Sequence, residues 1–202
     1  YHEDGESFSA DHGHQLVPPH LPFYSESHFL REDIDHYLVK TAESYGVDYV
    51  DETAITDVDI EDDGVTVHTD RGTTEAEFYV DATGGNSVLA EQRGYREGAP
   101  ELDTDSRAIF THVEGLAPFD DFLEETAHPS QSNRLHDGTL HHVFDGGWLW
   151  VIPFDNFERS EATSASVGLM LDREKYPVDD SLSAEEEFDS IVAQFPDIER
   201  HL

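Results

Sequence analysis

The chain has 202 residues, which is enough to bury the core of one large domain or of two smaller lobes. Its 46 acidic residues outnumber the 11 basic ones, and the formal net charge of -35 argues against nucleic acids and anionic membranes as partners. No apolar run has the length of a membrane span, and no cleavable signal pattern occurs. The absence of cysteine excludes disulfides and thiolate metal sites and favours a cytoplasmic protein.

The acidic residues are spread along every segment rather than gathered in one block. A localised acidic face would suit a basic partner, whereas a dispersed excess favours adaptation to high salt, where counter-ions screen the self-repulsion. Lysine is scarce, since only Lys40 and Lys175 occur, and this scarcity is similar to that in proteins of halophilic archaea. We therefore expect a salt-adapted protein.

The predicted elements begin after an irregular entry of about thirty residues rich in Pro, His and Ser. Helical spacing of apolar side chains predicts a helix over about 32–45, and Gly46 suits its left-handed C-cap. Alternation of apolar and polar residues around Val58, with turns at residues 62–64 and 70–72, predicts a three-stranded antiparallel meander. We expect its third strand to run to about Asp81.

The second half of the chain predicts further elements. A short helix is expected after residue 85, with Asn86 or Ser87 as its cap and Gly94 at its end. Strands are predicted near 107–113, 139–145, 147–153 and 164–171, and the irregular stretch of about 115–137 is a candidate cover for a site. A capping box at Ser183 predicts a last helix, which Pro196 is expected to stop. The fold class is α+β with a mixed or antiparallel sheet.

One candidate motif is Asp81-Ala82-Thr83-Gly84-Gly85, which follows a predicted strand and precedes a short helix. Glycines there allow a sharp turn and the close approach of a ligand, although two glycines after a strand are most often only a turn. Together with the meander and the preceding helix, the D-A-T-G segment resembles the FAD-dependent oxidoreductase superfamily. The resemblance implies that Asp81, Gly84 and Gly85 lie close to FAD. The family commonly continues G-R-x-S, whereas Asn86 stands at the arginine position here.

The second motif is Gly147-Trp148-Leu149-Trp150-Val151-Ile152-Pro153. In a strand, its two tryptophans and Ile152 face one side while Leu149 and Val151 face the other, so an apolar strand of this kind is expected to be central and buried. Two tryptophans in such a stripe most often simply fill a core. However, W-x-W-x-I-P resembles the signature of flavin-dependent tryptophan halogenases, as does the following 166–169 segment. The resemblance implies that Trp148, Trp150, Ile152 and Pro153 wall a substrate pocket.

Other polar residues give weaker signals. Arg31 stands where many members of the superfamily have an arginine near the cofactor, and a solvated helix-start residue is an equal alternative. The 13 histidines lack the spacing of a metal site. His141 and His142 point to opposite faces of a strand, while His12 and His14 lie in a predicted loop.

The resemblance implies an excised middle of a flavoenzyme. Residues 1–85 would form a linker, helix and meander leading back to the FAD domain, and residues 86–202 the substrate-side sheet and helix. The main FAD motifs, G-x-G-x-x-G and G-D-A, would lie outside the chain. The expected function is FAD and oxygen chemistry of the halogenase or monooxygenase type, on a small molecule, with a flavin reductase as a possible electron donor and no assigned catalytic residue. Two alternatives are a geranylgeranyl reductase-like flavoenzyme and a non-catalytic acidic binding module.

Overall fold

The computed structural model describes residue 2 and residues 27–96, 103–123, 134–156 and 159–202, so most of the expected irregular entry lies outside the described residues. The described part contains the helices α1 (Arg31–Ser44), α2 (Val88–Gln92), α3 (Ala184–Val192) and α4 (Pro196–His201) and the strands β1 (Ile55–Glu61), β2 (Gly64–Thr69), β3 (Gly72–Ala76), β4 (Ser106–Glu114), β5 (Leu140–Phe144), β6 (Gly147–Pro153) and β7 (Ser164–Asp172). Within these ranges no helix has both the length and the apolar character needed to cross a membrane.

The chain forms two compact units. One comprises Tyr1–Ile34 together with Asp103–Leu202, and the other comprises Asp35–Leu102. The division falls within α1, whose predicted range is confirmed and whose end carries Gly46 at a φ of +93°. That left-handed conformation is the one a glycine C-cap provides. The two units are separated by their internal contacts. The predicted boundary at residue 85 separates instead the part that leads back to an FAD domain from the substrate side, and it stays a prediction.

The smaller unit is built on the predicted meander, in the antiparallel order β1-β2-β3. Val58 and Val65 are its buried strand residues. The prediction that the third strand reaches Asp81 is wrong, because β3 ends at Ala76. Beyond that residue no described strand pairs with the chain, and Phe78 and Val80 are 85% and 84% exposed. A run of alternating apolar residues forms a strand only where a partner satisfies its backbone groups.

The larger unit contains a four-stranded antiparallel sheet in the order β4-β7-β6-β5, which confirms the α+β class and the four predicted strands. Its core lies on one face of this sheet, where side chains of β5, β6 and β7 pack against α3 and α4. The buried members are Phe144, Leu149, Val151, Ala165, Val167, Leu169, Leu171, Ile191, Val192, Phe195 and Ile198. We call this side of the sheet the closed face.

The C-terminal helices show one confirmed prediction and one error. The capping box is present, since Ser183 accepts from the Glu186 N–H and the Glu186 carboxylate accepts from the Ser183 N–H. Pro196, however, does not stop α3, which already ends at Val192; it begins α4. Proline is tolerated at the first position of a helix, because that residue's N–H has no partner within the helix.

An ion pair ties the edge strand β4 to α3 on the closed face. The Arg107 guanidinium donates to both carboxylate oxygens of Glu187, and the two side chains are only 12% and 13% exposed. Its Nε also donates to the Tyr176 carbonyl at 2.8 Å, and one terminal nitrogen donates to the Pro177 carbonyl at 3.3 Å. Together with the two bonds to Glu187, these carbonyls satisfy four of the five N–H donors of the guanidinium, as a nearly buried charge requires.

Candidate functional site

The W-x-W-x-I-P strand is β6, and its two faces have different surroundings. Leu149 and Val151 are buried in the core of the closed face. Trp148, Trp150 and Ile152 point to the other side of the sheet, where Trp148 remains 39% exposed. The strand is therefore central, as predicted, but the prediction that both its faces are buried is wrong. The helices of the larger unit pack on one side only, so the described residues leave the tryptophan side partly uncovered.

The uncovered side carries a group of rings from three strands, which we call the open aromatic face: Phe110 of β4, Trp148 and Trp150 of β6, and His141 of β5. The rings of Phe110 and Trp150 lie 6.3 Å apart, and those of His141 and Trp148 lie 6.5 Å apart in an edge-on arrangement. Phe110 is 67% exposed. An exposed cluster of aromatic side chains offers stacking surface to a flat apolar ligand.

Pro153 has a different position from the other predicted wall residues. Its side chain lies on the closed face and is fully buried. Its carbonyl accepts a hydrogen bond from the His28 Nδ1–H at 2.5 Å, and the other ring nitrogen of His28 lies 3.2 Å from the Thr139 hydroxyl. A pocket on the open aromatic face would thus be walled by Trp148, Trp150 and Ile152, while Pro153 holds the end of the strand in place.

A row of three buried histidines lies on the closed face. The Ala117 carbonyl can only accept, so with neutral rings His201 donates from Nε2 to it at 3.2 Å. The other two hydrogen bonds then have the same direction. His142 donates from Nε2 to His201 Nδ1 at 3.1 Å, and His2 donates from Nε2 to His142 Nδ1 at 2.9 Å. The Phe119 ring covers His142 in an edge-to-face arrangement, with the two ring centroids 4.7 Å apart. Residues 119–122 therefore cover the core and not the open aromatic face.

Burial controls the protonation of these rings. It lowers the pKa of His142 well below the usual value, and the neighbouring His201 and His2 lower it further. Burial likewise lowers the pKa of His201 to about 4, although its bond to the Ala117 carbonyl acts in the opposite direction. The His142 and His201 rings are therefore neutral at physiological pH, and all three rings form a polar part of the core.

The spacing of the histidines predicts no metal site. His141 is exposed and His142 buried, which confirms that they point to opposite faces. His12 and His14 lie outside the described residues. Within the described ranges, no group of three or more His, Asp or Glu side chains is placed to hold a metal ion.

The Asp81–Gly85 segment forms a tight turn in the smaller unit. The Asp81 carboxylate accepts from the Thr83 hydroxyl at 2.6 Å, the Thr83 N–H at 3.0 Å and the Leu89 N–H at 2.9 Å. These bonds lower the pKa of Asp81, the Thr83 hydroxyl contributing most. Asp81 thus ties the turn to the start of α2, which follows Ser87 as predicted, although the Ser87 side chain does not cap the helix. The observed role of Asp81 is to shape the turn.

Gly84 and Gly85 expose backbone in that turn. Gly84 has a φ of +63°, a conformation that favours glycine, and a Cβ added to either residue would meet no described atom within 4 Å. Neither local packing nor conformation requires a glycine at Gly85. An open, side-chain-free backbone of this kind suits the close approach of a flat or phosphorylated cofactor. Arg31 is exposed at the first residue of α1, and the Arg96 guanidinium donates to the Gly85 carbonyl.

Comparison with known proteins places the chain in a family. The family model described as "Tryptophan halogenase" matches residues 18–166, which is more than half of the chain. The chain belongs to the tryptophan halogenase family. The W-x-W-x-I-P resemblance is thereby confirmed at the level of the family, and the matched range includes the whole of β6.

Named relatives agree with this assignment. The chain is 41% identical over 199 residues to monodechloroaminopyrrolnitrin halogenase PrnC of Pseudomonas fluorescens, covering 98% of this chain and 34% of that protein. It is 37% identical to tetracycline 7-halogenase of Kitasatospora aureofaciens, of which it covers 36%. The structure of halogenase PltM in complex with phloroglucinol and FAD aligns with all of this chain and 39% of its own, with a TM-score of 0.86 and 30% identity. The chain thus spans about a third of the length of its curated halogenase relatives.

The halogenase-type sheet contains two further residues on the side of the tryptophans that sequence reasoning did not assign to the site. Gly168 and Ser166 of β7 lie opposite Trp150 and Ile152 in the sheet register. A glycine inside an apolar strand is the signal that could have identified the first of them, because such glycines often mark a close approach by another group.

Proposed function

We propose that this chain provides the substrate-side sheet of a flavin-dependent halogenase-like oxidoreductase. The observation that carries the proposal is the open aromatic face on the W-x-W-x-I-P strand of a chain that belongs to the halogenase family. The relatives named above are halogenases, and one was crystallised with FAD and a phenol. Trp148, Trp150 and Ile152 would contact the substrate and exclude water from it.

The cofactor in this proposal is FAD, which would supply the oxygen-dependent redox chemistry. The uncovered backbone of Gly84 and Gly85 fits a group that approaches closely, and it represents one edge of a cofactor pocket. Asp81 would act by holding the turn in shape. Arg31 remains a candidate for a contact with the cofactor. No residue of this chain is assigned as acid, base or nucleophile.

The proposed division of labour follows the chain. Residues 1–85 would lead back to an FAD domain, which agrees with the exposed, alternating side chains of Phe78 and Val80 beyond β3. Such residues suit a strand that pairs with a sheet outside this chain. Residues 86–202 would form the substrate side. We further propose that the protein is cytoplasmic, for which the absence of cysteine is the compositional support. A flavin reductase is proposed as the electron donor because the chain belongs to the halogenase family.

The decisive experiment uses the complete protein with FAD, a flavin reductase and either chloride or bromide. Electron-rich phenols, indoles and pyrroles serve as trial substrates, with phloroglucinol first because it is the ligand in the PltM structure. Mass spectrometry should detect a product that carries the supplied halogen and should detect none when halide is left out.

Two other results would favour the alternatives. A protein that binds FAD and reduces or oxygenates its substrate regardless of halide would be a flavoenzyme of the reductase or monooxygenase type. A protein that binds no FAD by equilibrium dialysis or by flavin fluorescence would be a binding module, and the proposed function would then be wrong.

We also propose that the protein is adapted to high salt. The formal charge of -35 and its dispersal along the chain support this, because concentrated counter-ions screen repulsion that would otherwise oppose compaction. Exposed acidic residues occur throughout the described elements; in β1, for example, Asp57, Asp59 and Glu61 are all exposed.

A further inference from the structure

Gly168 occupies a special place in the four-stranded sheet. It lies in the middle of β7, where its register partners are Trp150 on β6 and Phe110 on β4. It is not among the residues with a positive φ, so its backbone does not require a glycine. Glycine in a strand interior weakens the strand by its entropy and lack of side-chain packing. The reason for a glycine here must therefore lie in its surroundings.

The surroundings supply that reason. A Cβ on Gly168 would lie 2.2 Å from Cζ2 and 2.5 Å from Cη2 of Trp150, and 2.6 Å from Cβ of Phe110. These separations are far shorter than van der Waals contact. The six-membered ring of the indole thus occupies the space above β7 that any side chain at position 168 would fill.

A second contact with the same strand fixes the position of the indole nitrogen of Trp150. Ser166 lies two residues before Gly168, so it shares the same face of β7. The Trp150 Nε1–H donates to the Ser166 Oγ at 3.3 Å. The indole is therefore located by the space over Gly168 at its six-membered ring and by the Ser166 hydroxyl at its nitrogen.

Trp148 offers a comparison within the same strand. Its register partner on β7 is Met170, which carries a side chain where Gly168 carries none. Trp148 is 39% exposed, whereas Trp150 lies across the sheet between Phe110 and the Ser166 hydroxyl. The two tryptophans of the motif are thus held in different ways, and only Trp150 has a glycine beneath it.

We propose that Gly168 and Ser166 are positioning residues that lay the Trp150 indole flat across β7, with its outer surface toward the substrate side of the open aromatic face. The expected effect of these residues on halogenation rests on the proposed function, whereas their effect on the position of the indole does not. The pair acts through Trp150 and contacts no reacting atom. A residue larger than glycine at position 168 would lift the ring into the space that substrate needs.

The test is a double-mutant cycle in the complete protein, built from Gly168→Ala, Trp150→Phe and their combination. Phenylalanine lacks the indole atoms Cζ2 and Cη2, so in this background an alanine Cβ at position 168 would keep only its close contact with the Cβ of Phe110. The second substitution should therefore suppress most of the effect of the first. We expect Gly168→Ala alone to lower kcat/KM for halide-dependent product on the order of 100-fold, the size of effect that a misplacement of about 1 Å produces. In the Trp150→Phe background, the same change should have an effect on kcat/KM that is smaller by about tenfold, because only the contact with the Phe110 Cβ remains.

A spectroscopic readout follows the indole directly. Protein labelled with 5-fluorotryptophan gives a Trp150 ¹⁹F resonance that is assigned by its loss in Trp150→Phe. Gly168→Ala should shift this resonance, and Ser166→Ala should shift it less and reduce kcat/KM about fivefold, the value of one ordinary hydrogen bond. Ala108→Val is the matched control, because Ala108 is exposed on the same side of the sheet but pairs with Met170. It should leave the Trp150 resonance in place.

Two results would overturn the proposal: a Trp150 resonance unmoved by Gly168→Ala, or a loss of activity that is equal in both backgrounds. If Gly168→Ala fails to fold, the Ser166→Ala protein carries the test, and a Trp150 resonance that this substitution leaves in place contradicts the proposal. An absence of halogenation in wild-type protein with the ¹⁹F shifts intact would refute the proposed function and leave the placement of the indole standing.

Discussion

The two faces of the β4-β7-β6-β5 sheet are made by alternate residues of the same strands, yet they have different physical characters. On the closed face, Leu149, Val167 and Leu169 are almost completely shielded by α3, α4 and their neighbours. On the open aromatic face, Phe110 and Trp148 keep 67% and 39% of their surface exposed. The apolar character of a side chain therefore does not decide its role in this sheet. The helices that cover one side make a core, and the uncovered side is available for a ligand.

The polar groups of the two faces also differ in their roles. On the closed face, the Arg107 and Glu187 charges pair with each other, and the histidine row ends on the Ala117 carbonyl. Such partners are required where water is excluded. On the open aromatic face, the Ser166 hydroxyl orients a ring. Polar groups stabilise one face and position a side chain on the other.

The largest effect is expected from breaking the ion pair of the closed face. Glu187→Ala should lower the free energy of unfolding by about 3–4 kcal/mol, because it leaves the Arg107 charge buried without its carboxylate. Urea unfolding measures this loss. The control is Asp105→Ala, since Asp105 faces Arg173 at 3.7 Å in a pair that is more than half exposed. This exposed pair should contribute less than about 1 kcal/mol. Equal losses in the two variants would show that Arg107 and Glu187 are hydrated.

The histidine row should make the closed face sensitive to acid. The folded pKa of His201 is lowered from 6.5 to about 4, so the unfolded chain binds protons more readily below pH 6.5. Stability is therefore present above that pH and is lost as the pH falls toward 4. Since each pH unit of difference is worth about 1.4 kcal/mol, the loss from this residue approaches about 3 kcal/mol.

The pH dependence can be assigned by substitution. His201→Gln should reduce the dependence of the unfolding free energy on pH between 6.5 and 4, measured by urea titration at each pH, and the buried His142 should account for the dependence that remains. The control is His141→Gln at the adjacent strand position, which faces the open side; it should keep most of the wild-type pH dependence because it leaves the row of buried histidines intact. A wild-type profile that is flat over this range would contradict the buried, neutral state of the row.

Two valines test the contrast between the faces with identical chemistry. Val151 is 3% exposed on the closed face, and Val143 is 42% exposed on the neighbouring strand, on the open side. Val151→Ala should cost about 2 kcal/mol through lost burial and a cavity, and Val143→Ala less than about 1 kcal/mol. Thermal and urea unfolding both measure the difference. A large cost at Val143 would show that another part of the protein covers the open aromatic face.

The smallest effect per residue is expected from salt. The melting temperature should rise with potassium chloride up to molar concentrations, because screening relieves repulsion among exposed carboxylates. The ion pair of the closed face is shielded from salt, so Glu187→Ala should melt lower than the wild type by a similar margin at every concentration. A melting temperature that stays flat or falls as salt is added would contradict salt adaptation.

Most elements could be predicted because their signals are local. The apolar period and Gly46 located α1, and the Ser183 capping box located the start of α3. The errors arose where the outcome depends on distant residues. The third strand of the meander ends at Ala76 because no described strand pairs beyond it, and Pro196 begins a helix because Phe195 and Ile198 pack into the core.

The parts of the candidate site that depend on local sequence could likewise be predicted, and those that depend on distant residues could not. Period-two alternation places Trp148 and Trp150 on one side of β6 without knowledge of the fold. The assignments of Arg31 and of the Asp81–Gly85 turn to FAD stay predictions. The 166–169 segment entered only as part of the halogenase resemblance, and the contacts of Gly168 and Ser166 with Trp150 were not predicted. These contacts cross the sheet, and sequence spacing contains no information about that register.

The sequence by itself determined the alternation of β6, the Ser183 capping box and the Gly46 C-cap, the turns of the meander, the acidic surface and the family. These features depend on neighbouring residues or on composition, so the sequence contains all the information that determines them. The tertiary structure alone decided which side of β6 became a core and which stayed open, and it placed Gly168 beneath the Trp150 indole. Those outcomes depend on the packing of α3 and α4 and on strand register, which bring together residues far apart in the chain.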